Sequence, residues 1–546
     1  MIGRLDQTLR LLRTVRHLKA EQVAWQVGRR FSSRKADLRP APDERRRSSA
    51  LIKPCPKASR ALGGFRIRTL ATECDVRTTG WDSPTLSDLV RFNIHYFDWL
   101  QSAIDVGAGS EFIRDWIARN HPASGTAWHP YPTSLRIVNW LKAHWQSPIL
   151  DPEALHSLAV QARWLNANVE RHILGNHVIA NGKALMFAAM AFRGSESEVL
   201  AKSAHRILAR EIPEQVLADG GHFELSPMYH AIVLEDLLDI ISAVRSFGDD
   251  VPAPVREVAA MCEARVPSML RWLTLMSHPD GAPAFFNDCG IGVAPSLSDL
   301  NRYCRDLGIS GTAIAAEPLV HLPDSGFVRL SLGRGVVFFD VGNVGASYIP
   351  GHAHADTLSL ELSVGGARVL VNSGTSEYGA GPERARQRGT AAHNAVTIDE
   401  CDSSEVWGGF RVGRRARVHG FAVSSSVGEV HVVASHDGYR YLAGAPCHRR
   451  AVCLTPDSLT IGDSVGVASR AKSHWHFAPG IRVSQSGTYL SLPGGVSMEL
   501  KVDAFARGEI SDTAWHLGFG NSRPNVSLSV PLLSGAGNFQ LKWGLT

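Results

Sequence analysis

From residue 84 to about 303, apolar residues return every three or four positions, in blocks at 84–105, 132–146, 152–173, 176–192, 196–212, 225–246 and 254–276. That spacing predicts amphipathic helices. Turn signals part the blocks, among them Asp105 to Gly109, Ser147-Pro148, Gly194, Asp219-Gly220-Gly221 and His278-Pro279-Asp280-Gly281. Ser83-Pro84 reads as the cap and first residue of the first helix. No block repeats another, so the pattern predicts helical hairpins, closed as a toroid or left as an open array, rather than a short-period solenoid. Around Pro318 the period changes. Short β-branched segments at 335–340, 367–372, 429–434 and 459–463 lie between glycines and Asp/Ser clusters, and predict an antiparallel β-sandwich. The chain thus divides into an N-terminal segment and linker (1–82), a helical domain (83–315) and a β domain (316–546). The cleft between the last two is the expected place for a ligand.

Polar residues interrupt these patterns at three places. In Gly351-His352-Ala353-His354-Ala355-Asp356, leading into Thr357-Leu358-Ser359-Leu360-Glu361-Leu362, alternation predicts a strand. His352, His354 and Asp356 would then share one face, about 6.6 Å apart. In Gly175-Asn176-His177, Asn176 reads as a helix cap and His177 projects from the first turn, where an anion is favoured. In Gly221 to His230, Ser226-Pro227 reads as cap and first helical residue, which puts Tyr229 and His230 in the first turn behind Glu224. An aromatic group that includes Trp128, Tyr131, Trp140 and Arg136 is mostly core by base rate, with a few rings able to serve as platforms for sugar faces.

Charge is uneven. Residues 1–49 carry thirteen Lys or Arg against five Asp or Glu, whereas the rest of the chain is slightly acidic. This argues against general nucleic-acid coating. Ile2, Leu5, Leu9, Leu12, Val15 and Leu18 recur at helical spacing among arginines, giving a basic amphipathic helix for a membrane, a partner or the protein's own body. Eight cysteines at irregular spacing form no CxxC pair, which favours reduced thiols. No stretch is long and apolar enough to span a membrane. Met1 to Arg30 lacks a secretory apolar core, so the sequence alone gives a cytoplasmic expectation.

Taken together, Gly175-Asn176-His177, Phe223-Glu224-x-Ser226-Pro227-x-Tyr229-His230, Gly351-His352-x-His354-x-Asp356, Leu370-Val-Asn-Ser-Gly-Thr375 and Arg388-Gly-Thr-Ala-Ala-His393-Asn394 resemble the heparinase II/III-like polysaccharide lyases. The resemblance implies an incomplete (α/α) toroid followed by an antiparallel β-sandwich. It also implies cleavage of a uronate-containing anionic polysaccharide, such as a glycosaminoglycan or exopolysaccharide, by β-elimination, in the periplasm or cell envelope. Asn176 resembles the position that neutralises the uronate carboxylate, Tyr229 the acid/base tyrosine, and His177 and His352 the two site histidines. Arg136, Glu224, His230, Trp128 and Arg388 are expected to bind substrate. His354 and His393 resemble positions that hold a structural zinc in some members, although Asn372 stands where an acidic ligand would be expected. Arg384, Arg386 and Arg388 are expected to form a basic surface loop.

The same residues leave rival functions open. A glycoside hydrolase would pair Glu224 with Glu235 or Asp236. A non-catalytic glycan-binding or assembly protein would need no acid or base. The oligomeric state has no signal in the sequence.

Overall fold

The computed structural model describes residues 2–30, 35–102, 106–311, 317–466, 470–484, 486–492 and 497–544. Two N-terminal helices, α1 (Ile2–Val15) and α2 (Ala20–Arg30), precede three short antiparallel strands: β1 (Arg60–Gly63), β2 (Arg66–Thr69) and β3 (Thr72–Asp75). The helical body comprises α3 (Asp88–Tyr96), α4 (Val106–Arg119), α5 (Pro130–Gln146), α6 (Pro152–Ala167), α7 (Asn176–Ala191), α8 (Gly194–Gln215), α9 (Pro227–Phe247), α10 (Ala253–Leu275) and α11 (Leu297–Asp306).

Local signals account for most of these boundaries. Asp151 and Ser226 accept from Ala154 N and Tyr229 N, and a proline occupies the first helical turn behind each cap. The α7 helix is apolar around almost its whole circumference and is buried along its length, the mark of a central helix. Its one lysine, Lys183, bonds Asp236 at 2.7 Å and Asp239 at 2.6 Å.

Several boundaries differ from the sequence reading. The first helix after the linker is capped by Ser87, not Ser83. The stretch read as a turn from Asp105 to Gly109 opens α4 from Val106 onward, because one glycine-rich turn does not stop a helix with a long apolar face behind it. The 31–82 linker is not simply exposed. Arg45 is buried and bonds Asp250, Phe192 O and Ser197.

After α11 the chain becomes sheet. The strands β4 (Leu319–Leu322), β5 (Phe327–Leu332), β6 (Gly335–Asp340), β7 (Leu360–Val364) and β8 (Ala367–Leu370) form an antiparallel meander. An eight-stranded, a four-stranded and a two-stranded antiparallel sheet complete the β half, with Val430, Val432, Ile461, Trp475 and Phe539 in one core with β5–β8. A second apolar cluster joins the halves: Trp272 and Leu275 of α10 pack with Phe327 and Phe338, and Trp272 Nε1 donates to Ser325 Oγ at 2.9 Å. Met228, at the start of α9, is buried in the sandwich core, which draws the first turn of α9 onto the β half.

The segment 351–358 is loop, not strand; β7 begins only at Leu360. The alanines and histidines alternate in sequence, but backbone turns replace ladder pairing there. His352 and His354 both turn to Asp288, whereas Asp356 accepts from Asn287 N.

Candidate active site

Three elements converge where the halves meet: the N-terminus of α7, the N-terminus of α9 and the β6–β7 loop. Tyr229 leaves the first turn of α9 and stacks on the His352 imidazole, with ring centroids 3.8 Å apart and planes 25° apart. Its hydroxyl lies 2.7 Å from that of Tyr378. Glu224 links the other side. It accepts from Asn176 N at 3.0 Å and from Asn176 Nδ2 at 3.0 Å, and its second oxygen lies 3.6 Å from His352 Nε2. His177 Nδ1 donates to Glu170 Oε2 at 3.2 Å, and its ring lies 4.2 Å from that of Tyr131.

The backbone around these groups is held in an uncommon conformation. Leu174, Leu225 and Asn287 have positive φ (69°, 57° and 57°), and each immediately flanks a site segment. Gly175, at φ 63°, is required twice over: a Cβ there would collide with the Glu224 carboxylate and with Ile349.

Asp288 is the hub on the β side. One oxygen accepts from His352 Nδ1 at 2.9 Å and the other from His354 Nε2 at 2.9 Å. Arg384 donates to both oxygens, and Thr375 Oγ1 donates at 3.2 Å. Burial pushes this carboxyl up, but Arg384 and the two imidazoles outweigh burial and hold it well below the usual range. A carboxylate only accepts, so Asp288 fixes His352 as the Nδ1–H tautomer and leaves Nε2 facing the site.

The other shifts sort the groups into roles. Burial, then the neighbouring Tyr378 and Asp288, push the Tyr229 phenol well above its ordinary value, so it rests neutral. Burial pushes His177 down, but the facing Glu170 carboxylate outweighs it and the imidazole lies above its ordinary value. Glu224 is pushed up by burial, yet His352, His222 and the Asn176 bonds bring it below the ordinary glutamate value.

Several residues expected to bind substrate are turned inward. Arg136 is fully buried, with its guanidinium on Gln161, Ala127 O and Thr133. His230 is buried against Trp272, accepts from His222 N and bonds Met269 O. Trp128 is 3% exposed and donates to Asn120 O. Arg388 is 1% exposed and donates to Ala353 O. Arg384 is fully buried, so neither it nor Arg388 makes a basic surface; both lie on a short helix, α12 (Pro382–Arg388). Each of these cations meets carbonyl, amide or carboxylate oxygens that satisfy it inside, which composition alone cannot reveal. Asp288 and Tyr378 were missed. Neither stands in a spaced motif, and only the fold brings them to His352 and Tyr229.

The pair singled out for zinc gains no acidic ligand from Asn372. His354 Nδ1 lies 3.2 Å from His393 Nε2, and His354 Nε2 donates to Asp288. Asn372 donates to Phe285 O and accepts from Asn394 N through its side-chain oxygen, so it does not turn a third ligand to the two imidazoles. Among the described residues, metal-like spacing occurs instead at Glu429, His431 and Cys453 in the eight-stranded sheet.

Residues 93–303 match the family described as heparinase II/III N-terminus, and residues 315–544 match heparinase II/III-like, C-terminal. The chain belongs to the heparinase II/III-like family. A heparin-sulfate lyase of Pedobacter heparinus is 26% identical over 240 residues, covering 40% of this chain and 35% of that protein. One of Bacteroides stercoris is 23% identical over 304 residues, covering 50% and 44%. The chain thus spans less than half the length of these curated relatives. A heparinase III structure superposes with a TM-score of 0.64 at 18% identity, covering 86% of this chain and 80% of that one. A heparan sulfate lyase structure from Pedobacter heparinus gives 0.54 at 19% identity, covering 85% and 79%. These likenesses establish the fold: a helical toroid followed by an antiparallel β-sandwich.

Proposed function

We propose that this heparinase II/III-like protein is a polysaccharide lyase that cleaves a uronate-containing anionic polysaccharide, of glycosaminoglycan type, by β-elimination. The supporting observation is the Tyr229–His352 stack, which joins a neutral phenol from the helical half to an oriented imidazole from the β half. Elimination requires a base for the proton on C5, a donor for the departing O4 and a counter-charge for the carboxylate. His352 Nε2, with Asp288 holding Nδ1–H, takes the C5 proton. The electron pair forms the C4–C5 double bond as the C4–O4 bond breaks. Tyr229, held as a phenol by burial, protonates O4. His177, whose positive charge Glu170 favours, and the amide of Asn176 bind the carboxylate, so charge developing beside it is met by fixed donors. The names of the curated relatives support this substrate class.

The hydrolase arrangement has no comparable support. Glu235 is bonded to Lys57 at 2.5 Å and Asp236 to Lys183 at 2.7 Å, so both carboxylates belong to a buried ion network rather than to a pair with Glu224. The test is to follow the ultraviolet absorbance of unsaturated uronate ends across a panel of uronate polymers, with His352→Ala and Tyr229→Phe as controls. Absorbance that neither substitution lowers would remove these residues from the reaction.

A further inference from the structure

The two N-terminal helices expose apolar side chains, and α1 does so with its arginines turned to the body. A helix on a protein in water turns its apolar stripe inward and its charges outward. In α1, Arg10, Arg13 and Thr14 lie on one face and point at the body: Arg13 donates to both oxygens of Glu405 at 2.8 and 2.6 Å, Arg10 pairs with Glu405 at 3.3 Å, and Trp407 Nε1 donates to Thr14. The opposite face carries Leu11, Leu12 and Val15, which are 47%, 61% and 41% exposed. The α2 helix turns one buried polar residue to the body. Gln22 is buried, donates to Ile173 O at 3.2 Å and reaches Tyr348 O, while Val23, Trp25 and Val27 are exposed. Eight of the eighteen exposed large apolar side chains among the described residues fall between Leu9 and Val27. Scattered single leucines need no explanation, but eight exposed apolar side chains along two consecutive helices and the turn between them do.

The rim of this face is cationic. Arg16, Arg29 and Arg417 are exposed, and burial followed by the charges of Arg415, Arg16 and Arg417 pushes the His17 imidazole down. A second copy seated on the face would set these guanidinium groups against each other. A sheet of anionic headgroups over an apolar layer complements both features. No helix among the described residues is long and apolar enough to cross a membrane, so the contact would be interfacial. We propose that the exposed apolar side chains of α1 and α2, with their cationic rim, seat the protein on an anionic lipid bilayer. Because α1 is tied to the β half at Glu405 and α2 to the loop before Gly175, such seating holds both halves at one surface. This surface is independent of the catalytic reading.

The test is flotation of the full-length protein with vesicles of phosphatidylcholine alone or mixed with phosphatidylglycerol. The expected result is flotation at least about ten-fold stronger with the anionic vesicles, reduced by high salt. The Leu12→Glu/Val27→Glu variant should lose it while keeping the wild-type circular dichroism spectrum and thermal midpoint. The proposal is overturned if neither vesicle floats the protein, or if the double variant floats as well as wild type. It is equally overturned if sedimentation shows a vesicle-indifferent dimer that the double variant dissociates.

Discussion

The Tyr229 phenol, carried by the first turn of α9, lies flat on the His352 imidazole, carried by the loop between β6 and β7, with 3.8 Å between ring centroids. The contact exists because Met228, one residue earlier, is buried in the sandwich core and pulls the helix start across the domain boundary. Removing only the hydroxyl should therefore leave the stack intact. Tyr229→Phe is expected to lower the elimination rate by about 10²–10⁴. Its thermal midpoint and polymer affinity should stay close to wild type, as read by absorbance kinetics, thermal melts and binding titration.

Asp288 and His352 should separate stability from activity. Asp288 carries two imidazoles and the buried Arg384 guanidinium. Asp288→Asn strands that cation and is expected to cost about 3–5 kcal/mol of stability along with activity. His352→Ala removes a partly exposed ring, with 13% of the side chain accessible, and should abolish turnover at a much smaller stability cost. Denaturant melts of the two variants measured side by side distinguish the roles.

The His177–Glu170 pair predicts a pH signature. The folded imidazole is raised above its unfolded value, so its stabilising contribution is complete below the unfolded value of about 6.5 and is lost as pH rises through the folded value. Glu170 is depressed, so its contribution is present above the unfolded glutamate value and is lost as pH falls through the folded one. If imidazolium binds the substrate carboxylate, kcat/KM falls on the alkaline side as His177 deprotonates. Glu170→Gln removes the raising charge and should move that limb to lower pH. A pH–rate profile in which the limb stays in place would remove His177 from carboxylate binding.

Gly175 offers a backbone test. Alanine there combines a positive φ with a collision against the Glu224 carboxylate. Gly175→Ala is expected to destabilise by at least about 1 kcal/mol and to lower activity by displacing Glu224 from Asn176. A thermal melt paired with the absorbance assay checks both effects.

Much of this was legible in the sequence, for definite physical reasons. The switch from period 3.6 to short β-branched runs marks helix and sheet because each backbone imposes its own repeat on the buried face. The first-turn places of His177 and Tyr229 were readable because caps carry local signals such as Ser226-Pro227, but Asn176, read as a cap, is the first helical residue, with Gly175 as the cap. The loop nature of 351–358 was not readable, since alternation looks the same whether or not a neighbouring strand is there to pair. Asp288 lies 64 residues from His352 in sequence, and Tyr378 lies 149 from Tyr229; no local pattern can encode such partners. The burial of Arg136, Arg384 and Arg388 was equally hidden, because a guanidinium becomes an inside residue only when several chain segments supply its acceptors.

The most direct measurement is the mass and absorbance of the products formed from a uronate polymer. The account predicts fragments that absorb in the ultraviolet and whose masses sum to that of the parent chain, because elimination adds no water. Fragments without that absorbance, summing to the parent plus one water, would show hydrolysis and contradict it.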